Sequence, residues 1–264
     1  MEIGAITEYI DVAQVSLYVF WVFFAGLVFH LQQESRREGF PLESDTGERD
    51  GPSFFFTPPA KTFILPNGHG TASFPNDGRD VHSDNVAATR VAEFEGAAWR
   101  PTGENPMLDS IGPGSWTDRA TVPDMTHEGE VKIVPMSVAK DFSIAEGDLD
   151  PRGLRVVGCD SVVAGRVTDV WVDKAEQIIR YIEMTTEVGA EPRNVLVPMN
   201  FCLIRKPHDG EKILYVHAIT GAQFADVPAT KKRREITLRE EDRIMAYFGS
   251  GLLYATPRRA ESVI

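Results

Sequence analysis

Two short stretches carry residues that could move protons. PDMTHEGEVK places Asp124, His127, Glu128 and Glu130 close together, and DKAEQIIR does the same for Asp173, Glu176 and Arg180. Carboxylates held close raise one another's proton affinity, so such a group can store or pass protons near neutral pH. Left apart, the same residues are ordinary surface charge. Other chemistry finds little support. No GxSxG, HExxH, Walker loop or GxGxxG is present, so a hydrolase built on Asp124, His127 and Glu128 lacks any supporting motif. The 6 histidines are His30, His69, His82, His127, His208 and His217, and no two stand three or four apart. No metal site at helical spacing is therefore expected. His69 falls in the turn NGHG. Asp148, Asp150 and Asp160 lack the glycine and closing glutamate of a calcium loop and predict an Asp-rich turn. Cys159 and Cys202 are far apart in sequence, with no CxxC, and are expected to be buried small hydrophobes in a reducing compartment.

The elements that must hold these groups begin with a membrane anchor. Residues 12–33, VAQVSLYVFWVFFAGLVFHLQQ, include no formal charge. As a helix they span about 33 Å, close to the ~30 Å hydrocarbon core of a bilayer. Phe20, Trp21, Phe23, Phe24, Leu27, Val28 and Phe29 make every face apolar, whereas a surface helix of a globular protein carries a polar stripe. Glu2, Glu8 and Asp11 precede the run, no small-x-small site follows it, and both facts oppose a cleaved signal peptide. Arg36 and Arg37 follow the span, so the positive-inside rule puts residues 1–11 in the periplasm and the body in the cytoplasm. His30, near the cytoplasmic end, is expected at headgroup depth rather than as a pigment or haem ligand. The net charge of −12 argues against a nucleic-acid partner.

Residues 43–125 are rich in Gly, Pro, Asp, Asn and Ser and predict extended chain with a few short strands. The seven prolines from Pro58 to Pro113 exclude long helices and central strands there. Phe54, Phe55, Phe56, Phe63, Trp99 and Trp116 are too many large aromatics for a solvated linker and imply a surface that rests on partners. From about residue 130, KIVPMSVA, LRVVGCD, VAGRVTDVWVD, IIRYIEMTTE, NVLVPMNFCLIR and KILYVHAIT predict short strands in a small antiparallel sheet or barrel. LREEDRIMAYFGSGLLY follows as a helix. Leu238, Ile244, Tyr247 and Phe248 fall near helical spacing, Thr237 with Glu240 forms a capping box, and Gly249 and Gly251 are expected to end it. KKRR at 231–234 reads as a solvated loop balancing local acids or, alternatively, as a contact for lipid phosphates or an acidic partner face.

Several segments, in order along most of the chain, resemble the H subunit of the purple-bacterial photosynthetic reaction centre. They are RREGFPLE (36–43), KTFILPNGHGT (61–71), RPTGENPMLDSIGPGSW (100–116), KIVPMSVAKDFSIAEGDLDPRGL (132–154), VAGRVTDVWVDKAEQIIRYIE (163–183) and EEDRIMAYFGSGLLYATPRRAES (240–262). The resemblance implies a single transmembrane helix (12–33), an irregular membrane-surface segment (34–125) and a mainly β cytoplasmic domain (126–264), a small PRC-type β-barrel with a C-terminal helix. It implies a subunit that is not itself an enzyme and sits in the bacterial inner, photosynthetic membrane. Its partners would be the L and M subunits, the core light-harvesting antenna, membrane lipids and, in some complexes, a cytochrome. Bacteriochlorophyll, bacteriopheophytin, quinones, non-haem iron and carotenoid would be held by L and M, and this chain would bind no cofactor or metal. The role implied is to cap the cytoplasmic face, stabilise the quinone sites and assist proton delivery to the secondary quinone. The family's EQxxR glutamate matches Glu176, with Asp173 and Arg180 beside it as proton-path candidates. Some relatives have two histidines two apart before the KIxP strand as a proton entrance. The matching positions here are Glu128 and Glu130, with His127 one position off, so a coupled acid cluster would have to do that work. The alternative is an anchored PRC-barrel docking subunit of another membrane complex.

Overall fold

A computed structural model describes residues 6–7, 9–37, 57–66, 70–75, 86–94, 96–206 and 210–260. Phe54, Phe55, Phe56, His69, His82 and His208 lie outside the described residues. The chain divides into two compact units, Met1–Gly78 and Arg79–Ile264.

In the first unit, α1 (Val12–Ser35) starts where Asp11 accepts a hydrogen bond from the Gln14 amide at 2.7 Å. An Asp cap satisfies one of the donors that a first helical turn leaves unpaired. The helix buries none of its residues within the chain and is long and apolar enough to cross a membrane. After it, β1 (Lys61–Ile64) and β2 (Thr71–Phe74) pair antiparallel, with Thr62 opposite Ser73 and their hydroxyls hydrogen-bonded.

The second unit opens with a small hairpin, β3 (Ala88–Arg90) against β4 (Trp99–Pro101). The Arg90 guanidinium lies over the Trp99 ring. Two 3-10 turns follow, at Pro106–Leu108 and Gly112–Gly114. The barrel sheet then assembles from β5 (Ile133–Pro135), β6 (Arg155–Val157), β7 (Val163–Asp173), β8 (Ile178–Thr186), β9 (Asn194–Pro198), β10 (Cys202–Arg205) and β11 (Ile213–Val216). Its order is β10-β11-β6-β7-β8-β9, and β5 joins β7 beyond the end of β6. The valines and isoleucines of β7 and β8 suit a pleated surface buried on its inner face. Val170, Trp171, Ile182 and Met184 are at most 1% exposed and form the centre of the core.

Three expectations need correction. The sheet is not wholly antiparallel, because β11 runs parallel to β6, with Leu214 opposite Val156. Such a pair needs a long connection, and β7 to β10 supply it. The run NVLVPMNFCLIR forms two strands, not one. Pro198 has no amide to donate to a ladder, and Met199–Phe201 turn the chain into β10. Gly249 and Gly251 do not end α2, which continues from Leu238 to Tyr254. A Cβ on Gly251 would lie 2.7 Å from the Ala218 carbonyl oxygen, and one on Gly249 would lie 3.1 Å from that of Pro113. These glycines let the helix approach its neighbours closely. The end of α2 is held by Arg259, whose Nη1 donates to the carbonyls of Gly251 and Ala218.

The Thr237–Glu240 capping box is present. Ile244, Tyr247 and Phe248 are buried, with the Phe248 ring against Phe201 and Phe224. Cys202 is buried, whereas Cys159 is only half-buried in the turn after β6, and both are free thiols. The KKRR loop is exposed, with Lys232 paired to Glu235.

Candidate functional site

The site grows out of the tight connection between β7 and β8. Asp173 ends β7 and its side chain is fully buried. Its Oδ1 accepts from the amides of Ala175 and Glu176, both at 3.0 Å, and its backbone carbonyl accepts from Gln177 at 2.8 Å. This is the Asx-type turn that short acidic side chains favour. Gln177 closes it with φ of 57°. The turn leaves Asp173 Oδ2 pointing inward with no hydrogen-bond donor of its own. A buried carboxylate in that position requires a cation.

Lys132 is that cation. It directly precedes β5, whose Ile133 is paired with Asp173. Its carbonyl accepts from the Lys174 amide, and its own amide donates to the Asp124 carbonyl, both at 2.9 Å. The backbone therefore fixes the Lys132 ammonium 3.6 Å from Asp173 Oδ2, 3.4 Å from Asp124 Oδ2 and 3.5 Å from Glu176 Oε1. Arg180 Nε reaches Asp173 Oδ2 at 3.8 Å from β8. Burial works against the charge on Lys132, but the carboxylates of Asp173, Asp124 and Glu176 outweigh it and raise its pKa. The two acidic stretches thus meet at one ammonium. Three carboxylates face two cations, and one negative charge is in excess.

The rest of the first stretch lies on the turn between Met125 and Val131, which form an isolated antiparallel bridge. His127, Glu128 and Glu130 are exposed there. Glu130 forms an ion pair with Lys174, the neighbour of Asp173. Glu128 is held below the ordinary carboxylate range, first by its own backbone amide and then by the Thr126 hydroxyl. Among the described residues, no hydrogen bond or ion pair ties His127 to the Lys132 group. The structure therefore joins Asp124, Asp173, Glu176 and Arg180 directly, and Glu130 at one remove through Lys174.

A second acid lies beside Arg180. Glu241, in the first turn of α2, accepts a hydrogen bond from the Tyr181 hydroxyl at 3.1 Å. Burial raises the Glu241 carboxyl pKa, with Tyr181 and Arg180 opposing that rise. Burial likewise raises the Tyr181 phenol. Both line a cleft of about 540 Å³ that also includes Arg119, Arg180, Asn200 and Asp242. Residue spacing does not single out Lys132, Glu241 or Tyr181. The only local sign for Lys132 is a lysine at a strand start that follows a run of acids. Other acids are structural. Glu183 accepts from the Trp171 indole at 2.8 Å and from Asn194 at 2.9 Å. Asp150 pairs with Arg152, and Asp160 accepts from the amides of Val162 and Gly221. Among the described residues no group of three or more His, Cys, Asp or Glu is arranged to hold a metal.

Among the described residues, one apolar helix long enough to cross a membrane, a sheet with one parallel pair and a C-terminal helix define a barrel protein with a candidate membrane span. The family profile of the PRC-barrel domain matches residues 146–223. The profile described as photosynthetic reaction centre, H-chain N-terminal region, matches residues 4–138, just over half of the 264-residue chain. The chain belongs to the photosynthetic reaction centre H-chain family. It is a subunit of a reaction centre in a photosynthetic membrane, where that family associates with the L and M subunits. The match across the N-terminal half favours this over a docking subunit of some other complex.

Proposed function

We propose that this chain caps the cytoplasmic face of L and M and conducts protons toward the secondary quinone through the Lys132 cluster. The N-terminus lies in the periplasm and the barrel in the cytoplasm, consistent with acids before the span and Arg36 and Arg37 after it. Quinone reduction puts negative charge in a buried site, which protons from the cytoplasm must neutralise. A cap over that site must exclude water and yet admit protons. The observation that carries the reading is the convergence of Asp124, Asp173 and Glu176 on one ammonium, with a carboxylate in excess. Glu176 is the member best suited to exchange a proton with water, because its side chain is 52% exposed while Asp173 is sealed. Arg180 links the cluster to the adjoining cleft, where Glu241 is a further acid. The pigments, quinones and iron are held by L and M.

Glu176→Gln in the intact complex tests this. The second, proton-coupled electron transfer should slow about tenfold, roughly 1.4 kcal/mol on the barrier. Primary charge separation should be unchanged. Flash-induced proton uptake that matches wild type would remove Glu176 from the path.

A further inference from the structure

From two cavities that meet at one arginine, we infer that the start of α2 carries a nucleotide-binding site, with a phosphate pocket on one side of Arg243 and a base pocket on the other. The first cavity stands out against the chain's charge. The net charge is −12, yet residues 231–243 include six cations, Lys231, Lys232, Arg233, Arg234, Arg239 and Arg243. Lys231, Lys232, Arg239 and Arg243 line a cavity of about 280 Å³. Glu235 and Glu240 are the acids of its wall, and both are engaged. Glu235 pairs with Lys232 at 2.8 Å. Glu240 closes the capping box and accepts from the Lys231 amide at 2.8 Å. Asp118 pairs with Arg239 from outside the wall at 2.5 Å. Four cations thus face three carboxylates, and positive charge is left over. A phosphate supplies the missing charge and accepts from ammonium and guanidinium donors together. The first-turn amides of α2 take no part. Leu238 donates to Val122, Arg239 to Ala120, and Glu240 and Glu241 to Thr237. Recognition therefore falls to side chains. The loop that carries the lysines is held in place by the Lys232–Glu235 bridge and by the Lys231 amide.

Arg243 also lines a second cavity, of about 380 Å³, with Trp116, Met107, Leu108 and Tyr247. Its guanidinium lies over the Trp116 ring, 5.2 Å from the centroid. A guanidinium held on an indole offers flat faces, and bases stack on aromatic rings and on arginine planes alike. Asp109 and Ser110 bring polar atoms to the same wall, and the Asp109 carboxylate is fixed by the Gly103 amide at 2.8 Å. A polar edge beside a stacking face suits a heteroaromatic ring better than an acyl chain. Arg239 and Arg243 stand one helical turn apart, on one face of α2. A phosphate seated among the lysines and arginines thus adjoins the stacking wall. Pockets for small ligands run from roughly 300 to 1,000 Å³, and the two cavities together fall within that span. Neither cavity includes a residue of the Lys132 cluster, so this site is separate from the proposed proton path.

Equilibrium dialysis of the purified reaction-centre complex against radiolabelled ADP, at low salt and without divalent metal, tests this. ADP should bind saturably, one equivalent per complex. Pyrophosphate and adenosine, as competitors, should each be weaker than ADP by about tenfold or more, since each fills only one of the two pockets. Lys231 and Lys232 are exposed, so their joint replacement by alanine leaves the core untouched. Lys231→Ala with Lys232→Ala should weaken ADP about tenfold. Trp116→Leu should bring ADP close to the affinity of pyrophosphate and leave pyrophosphate itself unchanged. Absence of saturable binding overturns the inference, and so does ADP binding that the double lysine variant does not alter. Pyrophosphate that competes as well as ADP would reduce the site to a bare anion pocket and remove the base from it. Dodecyl phosphate that outcompetes ADP would assign both pockets to a lipid, which also overturns the nucleotide reading.

Discussion

Replacing Lys132 by methionine keeps the side chain's length and removes its charge, leaving Asp173 buried beside Arg180 alone. The attraction across the 3.6 Å Lys132–Asp173 gap is about 5 kcal/mol at an effective dielectric constant near 20, and about 1 kcal/mol in water. Breaking a buried pair from one side commonly costs about 3–5 kcal/mol. Asp173 keeps two amide donors and the Arg180 contact, so the lower part of that span applies. The Asp124 and Glu176 side chains are 44% and 52% exposed, and each adds no more than about 0.5 kcal/mol. The expected loss is about 3 kcal/mol, or about 6–12 °C in melting temperature for a unit of this size. Calorimetry of the full chain in detergent measures it. The pH dependence follows from the raised pKa of Lys132. A cation whose folded pKa lies above its unfolded value contributes fully below the unfolded value, near ~10.4, and loses that contribution as pH rises through the folded one. The gap between wild type and Lys132→Met should hold up to about pH 10 and close above it. Lys132→Arg cannot deprotonate there and should keep its stability. A gap under about 0.5 kcal/mol, or one that persists unchanged to pH 12, would refute the assignment of Lys132 as the cluster's essential cation.

Gly251→Ala sets a Cβ 2.5 Å from Ile219 Cγ2 and 2.7 Å from the Ala218 oxygen. The clash should cost about 2–3 kcal/mol net of the ~1 kcal/mol that alanine gains inside a helix, read as a lower denaturation midpoint. Glu241→Gln removes a carboxyl whose pKa is raised by burial, so ionised Glu241 opposes folding at neutral pH. The variant should be the more stable by about 1 kcal/mol at pH 7, and the advantage should vanish as pH falls below ~4, where wild-type Glu241 is neutral in both states. A constant difference across that titration would mean that the carboxyl's charge is not what the site resists.

Much of the barrel is legible because its strands are long, β-branched and bounded by turn residues. The run 163–173 corresponds to β7 residue for residue. What escapes is pairing. Nothing local tells that β11 will lie parallel to β6, since that choice depends on the whole connection between them. Gly249 and Gly251 mislead for a related reason. A glycine after an apolar run signals a helix end when it must adopt a left-handed conformation. Here each is required by a neighbour distant in sequence, Pro113 for one and Ala218 for the other. The capping box is the opposite case, with both of its partners inside one turn.

The same distinction governs the site. Asp173, Glu176 and Arg180 are found from spacing because the turn that joins them is local. Asp124 joins them only through the β5–β7 pairing that sets Lys132 against Asp173. Proximity in sequence does not bring His127 and Glu128 to the ammonium, and both are exposed on their turn. This bears on how the cluster can be dissected. Asp173 holds the turn with one oxygen and the ammonium with the other, so its replacement would disturb structure and proton transfer together. Glu176 holds nothing but the ammonium through its side chain, at the water-facing edge. A slowed proton step in Glu176→Gln with an unchanged melting temperature would therefore report on conduction alone. Asp173→Asn, slow and destabilised at once, could not separate the two.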